Sequence, residues 1–358
     1  MKSIIDRALE AREAVEEDQH EQADPEIESD EELKKIVESL KVNISIVGCG
    51  GGGSNTIRRL YQSGIVGATL VAANSDAKHL LSVEVPNKVL LGKSITRGLG
   101  AGAQPEMGKR ATEEARDELL HYIEGRHINF ITAGMGGGTG TGAAPFIAEL
   151  ARRRNQGQSS LIMGVVTLPF TAEGKLRREN ALRGLESLRH FCDTTIVVEN
   201  DKLLEMVPKL PIEAAFRVAD EVLMQSIKGI TEIITKPALV NVDFNDMMTI
   251  MENGGVAMIG IGEAQGRDRM NEAVDEAMSS PLLGDVELGS AKGALIRVVG
   301  GPDMTVSEAE RAAALVGEQI NPDSRIIWGC AVEPECEGLV KVMVVITGVQ
   351  SEQMLGRG

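Results

Sequence analysis

The 358-residue chain predicts an α/β fold: a mostly parallel, doubly wound sheet, a long central helix, and a smaller carboxyl-terminal α/β domain with a mixed sheet. Three observations lead there. Five apolar runs in the first part of the chain are each followed by helical periodicity. A proline-free stretch near the middle keeps an apolar stripe, and a second set of alternating runs ends in two apolar segments in succession.

In chain order, residues 1–40 hold 14 Asp or Glu against 5 Lys or Arg. Ile4, Ile5, Ala8, Leu9, Ala11 and Val15 recur at helical spacing with an acidic opposite face, which predicts a loosely attached helix. The acidic stretch around Pro25 reads as a solvated linker. From Lys41 the runs 42–47, 68–73, 129–133, 161–168 and 194–198 read as strands. Near-continuous apolar strands separated by helices belong to a parallel sheet covered on both faces, whose ligands gather at the strands' carboxyl ends. The stretch after Pro211 predicts one helix ending before Pro237. Beyond it, 255–262, 294–300, 325–332 and 339–349 read as strands, and 267–279 and 305–320 as helices. The last two strands follow one another directly and are expected to pair antiparallel. The plan is an extension over 1–40, a first domain over 41–210, the central helix over 211–236, a second domain over 237–350 and a tail over 351–358.

Charge and composition exclude several classes of function. With 37 basic against 53 acidic residues and a net charge of -16, the chain offers no broad field for nucleic acid. Six Phe, two Tyr and one Trp are few platforms for stacking bases along a strand. Cys49, Cys192, Cys330 and Cys336 form no CxxC pair and no histidine cluster joins them, so neither zinc nor a disulfide framework is expected. The reading is a reducing cytosol. No apolar run approaches the roughly 18 to 20 residues of a membrane span, and the first residues are too charged for a signal peptide. Direct membrane insertion is not expected.

Three glycine-rich loops suggest a phosphate ligand. GCGGGGSN over 48–55 follows the first strand, and its Gly48, Gly50 and Gly53 satisfy GxGxxG, which alone reads as a dinucleotide-binding unit. After the strand at 129–133, six of the nine residues from Gly134 to Gly142 are glycine, with Thr139 and Thr141 between them. So many glycines raise the entropy cost of folding, and consecutive N–H groups with threonine hydroxyls can form a nest around an anion. GLGAG over 98–102 precedes Pro105 and another helix. GKS at 92–94 is not the end of a Walker loop, because the position needing glycine is Asn87. The five histidines, at 20, 79, 121, 127 and 190, are scattered and read as surface or packing residues.

The motifs GCGGGGSN, ANSD, RGLGAGAQP, GGGTGTG, PFTAEGKLR, NDKL, AFRVADEVL and NVDFND stand in the order and spacing of one family. The chain resembles the tubulin/FtsZ family over about residues 41–349, and within it the archaeal FtsZ-like branch. The resemblance implies the tubulin/FtsZ fold, with a GTP-binding domain over 41–210 and a GTPase-activating domain over 237–350. It implies GTP or GDP with Mg2+ as cofactors, the metal ligands staying unassigned. Carried over by position, Gly50, Gly51, Gly52, Asn55, Asn74, Asp76, Gly100, Ala101 and Gly102 contact the nucleotide. So do Gly136, Gly137, Gly138, Thr139, Gly140, Thr141 and Gly142, with Thr139 and Gly140 near the β and γ groups. Glu173 and Arg177 match positions that meet the ribose, and Asn200, Phe216 and Asp220 match those that meet guanine. Phe216 and Asp220 are four apart, hence on one helix face. Guanine offers two adjacent donors, N1–H and N2–H, to a carboxylate, where adenine presents an acceptor.

Asn241, Asp243 and Asp246 match the loop that a neighbouring subunit inserts at the γ-phosphate. Read from spacing alone, Asp243 is better explained as a helix N-cap with Asp246 at N3. The resemblance implies head-to-tail homopolymers of a cell-division ring in the cytoplasm at mid-cell, with hydrolysis completed by the adjacent subunit, and a membrane adaptor of the FtsA or SepF kind as partner. Ser75 stands where the family usually has threonine, and Glu199 where proline commonly precedes the asparagine. The chain ends at GVQSEQMLGRG without the long linker and terminal peptide by which many family members hold adaptors, so adaptor docking is expected on another surface, or else the protein is expected not to serve division. Two alternatives remain: a tubulin-like paralogue acting in cell shape or positioning, and a Rossmann-type oxidoreductase resting on GxGxxG alone.

Overall fold

The structure, a computed structural model, describes residues 42–206, 211–236, 238–284 and 286–349. The expected amino-terminal helix, the acidic linker and the tail lie outside these residues. The described chain forms one ten-stranded sheet in the order β3-β2-β1-β4-β5-β6-β7-β10-β8-β9. The first six strands are β1 (Ile44–Cys49), β2 (Ala68–Asn74), β3 (Asn87–Leu90), β4 (Ile128–Gly134), β5 (Leu161–Leu168) and β6 (Thr194–Glu199), all parallel. β1, β5 and most of β4 and β6 are buried along their length, as their unbroken apolar runs require. β3 was not expected: its sequence, NKVL, has only one buried side chain and no apolar run to announce it.

The helices that follow are α1 (Gly50–Gln62), α2 (Ala77–Ser82), α3 (Pro105–Glu114), α4 (Arg116–Ile123), α5 (Thr139–Arg154), α6 (Lys175–Arg189) and α7 (Asn200–Met206). α8 (Ile212–Thr235) is the long central helix, ending where expected. α9 (Phe244–Met251) precedes β7 (Gly255–Gln265), which pairs parallel with β6 through Thr194–Ile196 and so joins the second half to the same sheet. α10 (Arg269–Met278), β8 (Gly293–Gly300), α11 (Val306–Gly317), β9 (Arg325–Val332) and β10 (Leu339–Thr347) complete it. Among the described residues no helix is long and apolar enough to cross a membrane.

One expectation is corrected. β9 and β10 do not pair with each other: β10 lies between β7 and β8, antiparallel to both, and β9 pairs parallel with β8 at the edge. Adjacency in the chain lost to burial. β10 carries the more continuous apolar run and is buried over most of its length, which suits an interior strand, whereas β9 is exposed at both ends and fully buried only at Gly329 and Cys330.

Candidate functional site

A cavity of about 610 Å³ opens at the carboxyl ends of the parallel strands, where a doubly wound sheet gathers its ligands. One side of it is built by the glycine loops. α1 and α5 begin there with no side chain capping their amino termini and no acidic residue in their first turns. α9 and α11, by contrast, are capped by Asp243 and Thr305. The first N–H groups of α1 and α5 therefore have no side-chain acceptor, and two positive dipole ends stand at the cavity, an arrangement suited to an anion. Ser75 Oγ and Thr139 Oγ1 are 2.6 Å apart, so the serine keeps the hydroxyl a threonine would bring to the second glycine loop.

The far side of the cavity is apolar and carboxylate-lined. Phe216 is 40% exposed, and buried Phe170 meets it edge-on at 5.0 Å, holding the ring while leaving part of it open. Asp220, one turn along α8, is pushed up to about 6 by burial, against the opposing pull of Arg59 and Arg58. Arg59 Nε lies 3.9 Å from its carboxylate and no hydrogen bond satisfies it. Asn200, 4% exposed at the start of α7, has a buried Oδ1 without a partner. A buried acceptor left unpaired is costly, and this one lines the cavity. Glu173 and Arg177 pair at 2.6 Å, and Glu173 also accepts from the Phe170 N–H.

Of the expected nucleotide contacts, Gly51, Gly52, Asn55, Asn74, Asp76, Gly100, Ala101, Gly102, Gly137, Gly138, Thr139, Gly140, Glu173, Arg177, Asn200, Phe216 and Asp220 all line this one cavity. Gly50, Gly136, Thr141 and Gly142 do not; they hold the loops. Gly50 and Gly136 take positive φ, where a side chain is strained. Thr141 Oγ1 accepts from the Gly136 N–H at 2.9 Å, and Gly142 lets α3 press on α5. Sequence reasoning missed His79, Leu99, Gly134, Met135, Thr167, Pro169 and Ala219, which also line it. Thr167 and Pro169 were findable, since they stand at the carboxyl end of β5. Ala219 shares a helix face with Phe216. Nothing in the sequence marks His79, one of five scattered histidines.

Asn241, Asp243 and Asp246 are exposed and stand outside the cavity. Asn241 Oδ1 accepts from the Ala238 N–H at 2.9 Å. Asp243 is the N-cap of α9, its Oδ1 accepting from the Asp246 N–H at 2.8 Å. Of the two readings of Asp243, the structure shows the cap. The Asp246 carboxylate has no partner among the described residues.

Comparison with known proteins gives concordant results. Residues 43–208 match the family model described as tubulin/FtsZ family, GTPase domain, and residues 255–350 match FtsZ family, C-terminal domain. A curated relative named cell division protein FtsZ 1, from Archaeoglobus fulgidus, is 50% identical over 100% of this chain and 95% of its own length. One of the same name from Pyrococcus abyssi is 49% identical, covering 98% and 93%. Among solved structures, an empty FtsZ dimer from M. jannaschii matches with a TM-score of 0.84 and 47% identity, over 90% of this chain and 93% of that one.

Proposed function

The chain belongs to the tubulin/FtsZ family, and on that footing we propose that it is a self-assembling GTPase of cell division that hydrolyses GTP where two copies meet head to tail. The oxidoreductase alternative falls with the family assignment, and relatives of half identity carry cell-division names, which favours cytokinesis over a shape-determining paralogue.

The observation that carries the proposal is the separation of two half-sites along one strand. His127, the residue before β4, meets the Phe244 ring edge-on at 5.7 Å and accepts at Nδ1 from the Asn43 N–H just before β1. The loop bearing Asp243 and Asp246 therefore sits at the amino end of the parallel strands. Gly134, Gly137, Gly138 and Gly140 line the cavity at the carboxyl end of the same strand. Seven residues of strand span about 23 Å, too far for one copy to bring its own Asp246 to its own cavity. A second copy stacked along the strand direction closes that gap, and a contact between unlike faces repeats into a filament. Leu99, 84% exposed at the cavity rim, is an apolar side chain for such a neighbour to cover.

In this reading the amino termini of α1 and α5 hold the phosphates, Phe216 packs on the base, and Asp220 accepts from guanine N1–H and N2–H. Asn200 Oδ1 gains a donor from the ligand. The neighbour's Asp246, whose carboxylate is unclaimed, polarises the attacking water, while Asn241 and Asp243 fix the loop that presents it. Magnesium supplies positive charge against the phosphates when bound. Among the described residues no group of three His, Cys, Asp or Glu is placed to hold a metal. The reading extends to a membrane adaptor of the FtsA or SepF kind and to a mid-cell ring in the cytoplasm.

The test is GTP turnover per subunit against protein concentration. A shared site gives a threshold followed by a rise as copies meet. Turnover per subunit independent of concentration, down to dilutions where light scattering shows no polymer, would falsify it.

A further inference from the structure

His79 is absent from every motif that identified the family, yet it lines the cavity. It stands in α2, three residues after Asp76, whose Oδ1 caps the helix by accepting from the His79 N–H at 2.9 Å. Its Nδ1 lies 3.1 Å from Nδ2 of Asn74. The other end of the Asn74 amide is fixed independently: Oδ1 accepts from the Asp76 N–H at 3.2 Å. An N–H can be given only to the oxygen, so the NH2 group must be the end that faces His79. Nδ1 is then the unprotonated nitrogen, and the ring proton sits on Nε2. Asn74 is 3% exposed at the end of β2 and itself lines the cavity.

We propose that His79 is a positioning residue for nucleotide binding, locking the Asn74 amide in one orientation through a neutral Nδ1 acceptor. Without that acceptor, only the single bond from the Asp76 N–H holds Asn74 in this orientation, and its amide turns about the last side-chain bond more readily. The nucleotide then meets a mixture of donor and acceptor ends. The loss falls on binding, because neither residue belongs to the loop that would activate water. This inference rests on the nucleotide reading of the cavity.

Asparagine and leucine at position 79 separate positioning from packing. An asparagine places its Oδ1 near where the histidine carries Nδ1, so His79→Asn keeps an acceptor for Asn74, whereas His79→Leu fills similar space without one. Expected for His79→Leu is a rise in KM for GTP, and in Kd for GDP measured below the assembly threshold, of about 5- to 30-fold, the worth of one to two hydrogen bonds. Its kcat at saturating GTP stays within about twofold. His79→Asn recovers most of the affinity. Nitrogen-15 imidazole spectra of the unaltered full chain should show His79 as the Nε2–H tautomer, a readout independent of how the variants fold.

Three results would overturn the inference: wild-type affinity in His79→Leu, no recovery in a folded His79→Asn, or a proton on Nδ1. Failure of the unaltered chain to bind GDP would remove the nucleotide reading and this inference together. GDP binding by the unaltered chain with indifferent variants would remove this inference alone.

Discussion

If Asp220 accepts from guanine as proposed, nucleotide binding is pH-dependent. Burial lifts its carboxyl to about 6, and guanine needs it ionised to accept two N–H bonds. GDP affinity should therefore be flat above pH about 7 and fall by up to about tenfold per unit below 6. The fold responds in the opposite sense. A carboxyl raised above its usual 3.8 makes the empty chain more stable at low pH, and that stability is lost as pH rises through about 6. Bound guanine offsets it. Asp220→Asn should remove the pH step and weaken GDP about 10- to 100-fold, the loss expected for a charge-assisted bond. Calorimetric titration from pH 5 to 8 decides, and equal affinity throughout would clear Asp220 of the role. The spacing of Phe216 and Asp220 was legible in the sequence because four residues make one helical turn. The Asn74–His79–Asp76 arrangement was not, since it depends on how the end of β2 meets α2.

Helix contacts set the shape of the phosphate loops. α3 and α5 meet where a Cβ on Gly142 would overlap the Pro105 carbonyl and the Lys109 N–H, and one on Gly108 would overlap the Gly138 carbonyl. The glycines of GGGTGTG thus serve two ends: some leave backbone open to the cavity, and Gly142 lets a neighbouring helix approach. Gly142→Ala should cost about 1 to 3 kcal/mol by overpacking and lower the thermal midpoint by several degrees. GDP affinity should fall with it, because α5 carries Thr139 and Gly140. A melting curve and a GDP titration on the same preparation check both; an unchanged midpoint would mean the helices can part at no cost. From sequence, every glycine of that loop looked like a ligand contact. Composition reports that backbone must be approached closely, without saying whether by phosphate or by helix.

At the scale of the molecule, one continuous sheet carries a nucleotide cavity at one end and a carboxylate loop at the other. Asp246→Ala should leave GDP binding intact while lowering assembly-dependent turnover about 10²- to 10⁴-fold. Gly140→Val, whose side chain would press on the Gly134 carbonyl at 2.8 Å, should abolish nucleotide binding. Mixed together, the two variants should regain part of the activity at junctions where the Asp246→Ala copy offers its intact cavity and the Gly140→Val copy its intact loop. Two inactive proteins that co-sediment as a mixed polymer and stay inactive would refute a site shared between copies.

The sequence by itself determined the order of the strands other than β3, the long helix after Pro211, the glycine loops and the family, because periodicity, proline placement and glycine density are local properties. It also named most of the cavity. Tertiary structure alone decided that β10 takes the interior place between β7 and β8, that β3 exists, and that His79 reaches the cavity. It alone decided, too, that Asp246 stands at the opposite end of β4 from the glycines. Each of these follows from which residues exclude water together across long stretches of chain, and no window of neighbouring residues contains that information.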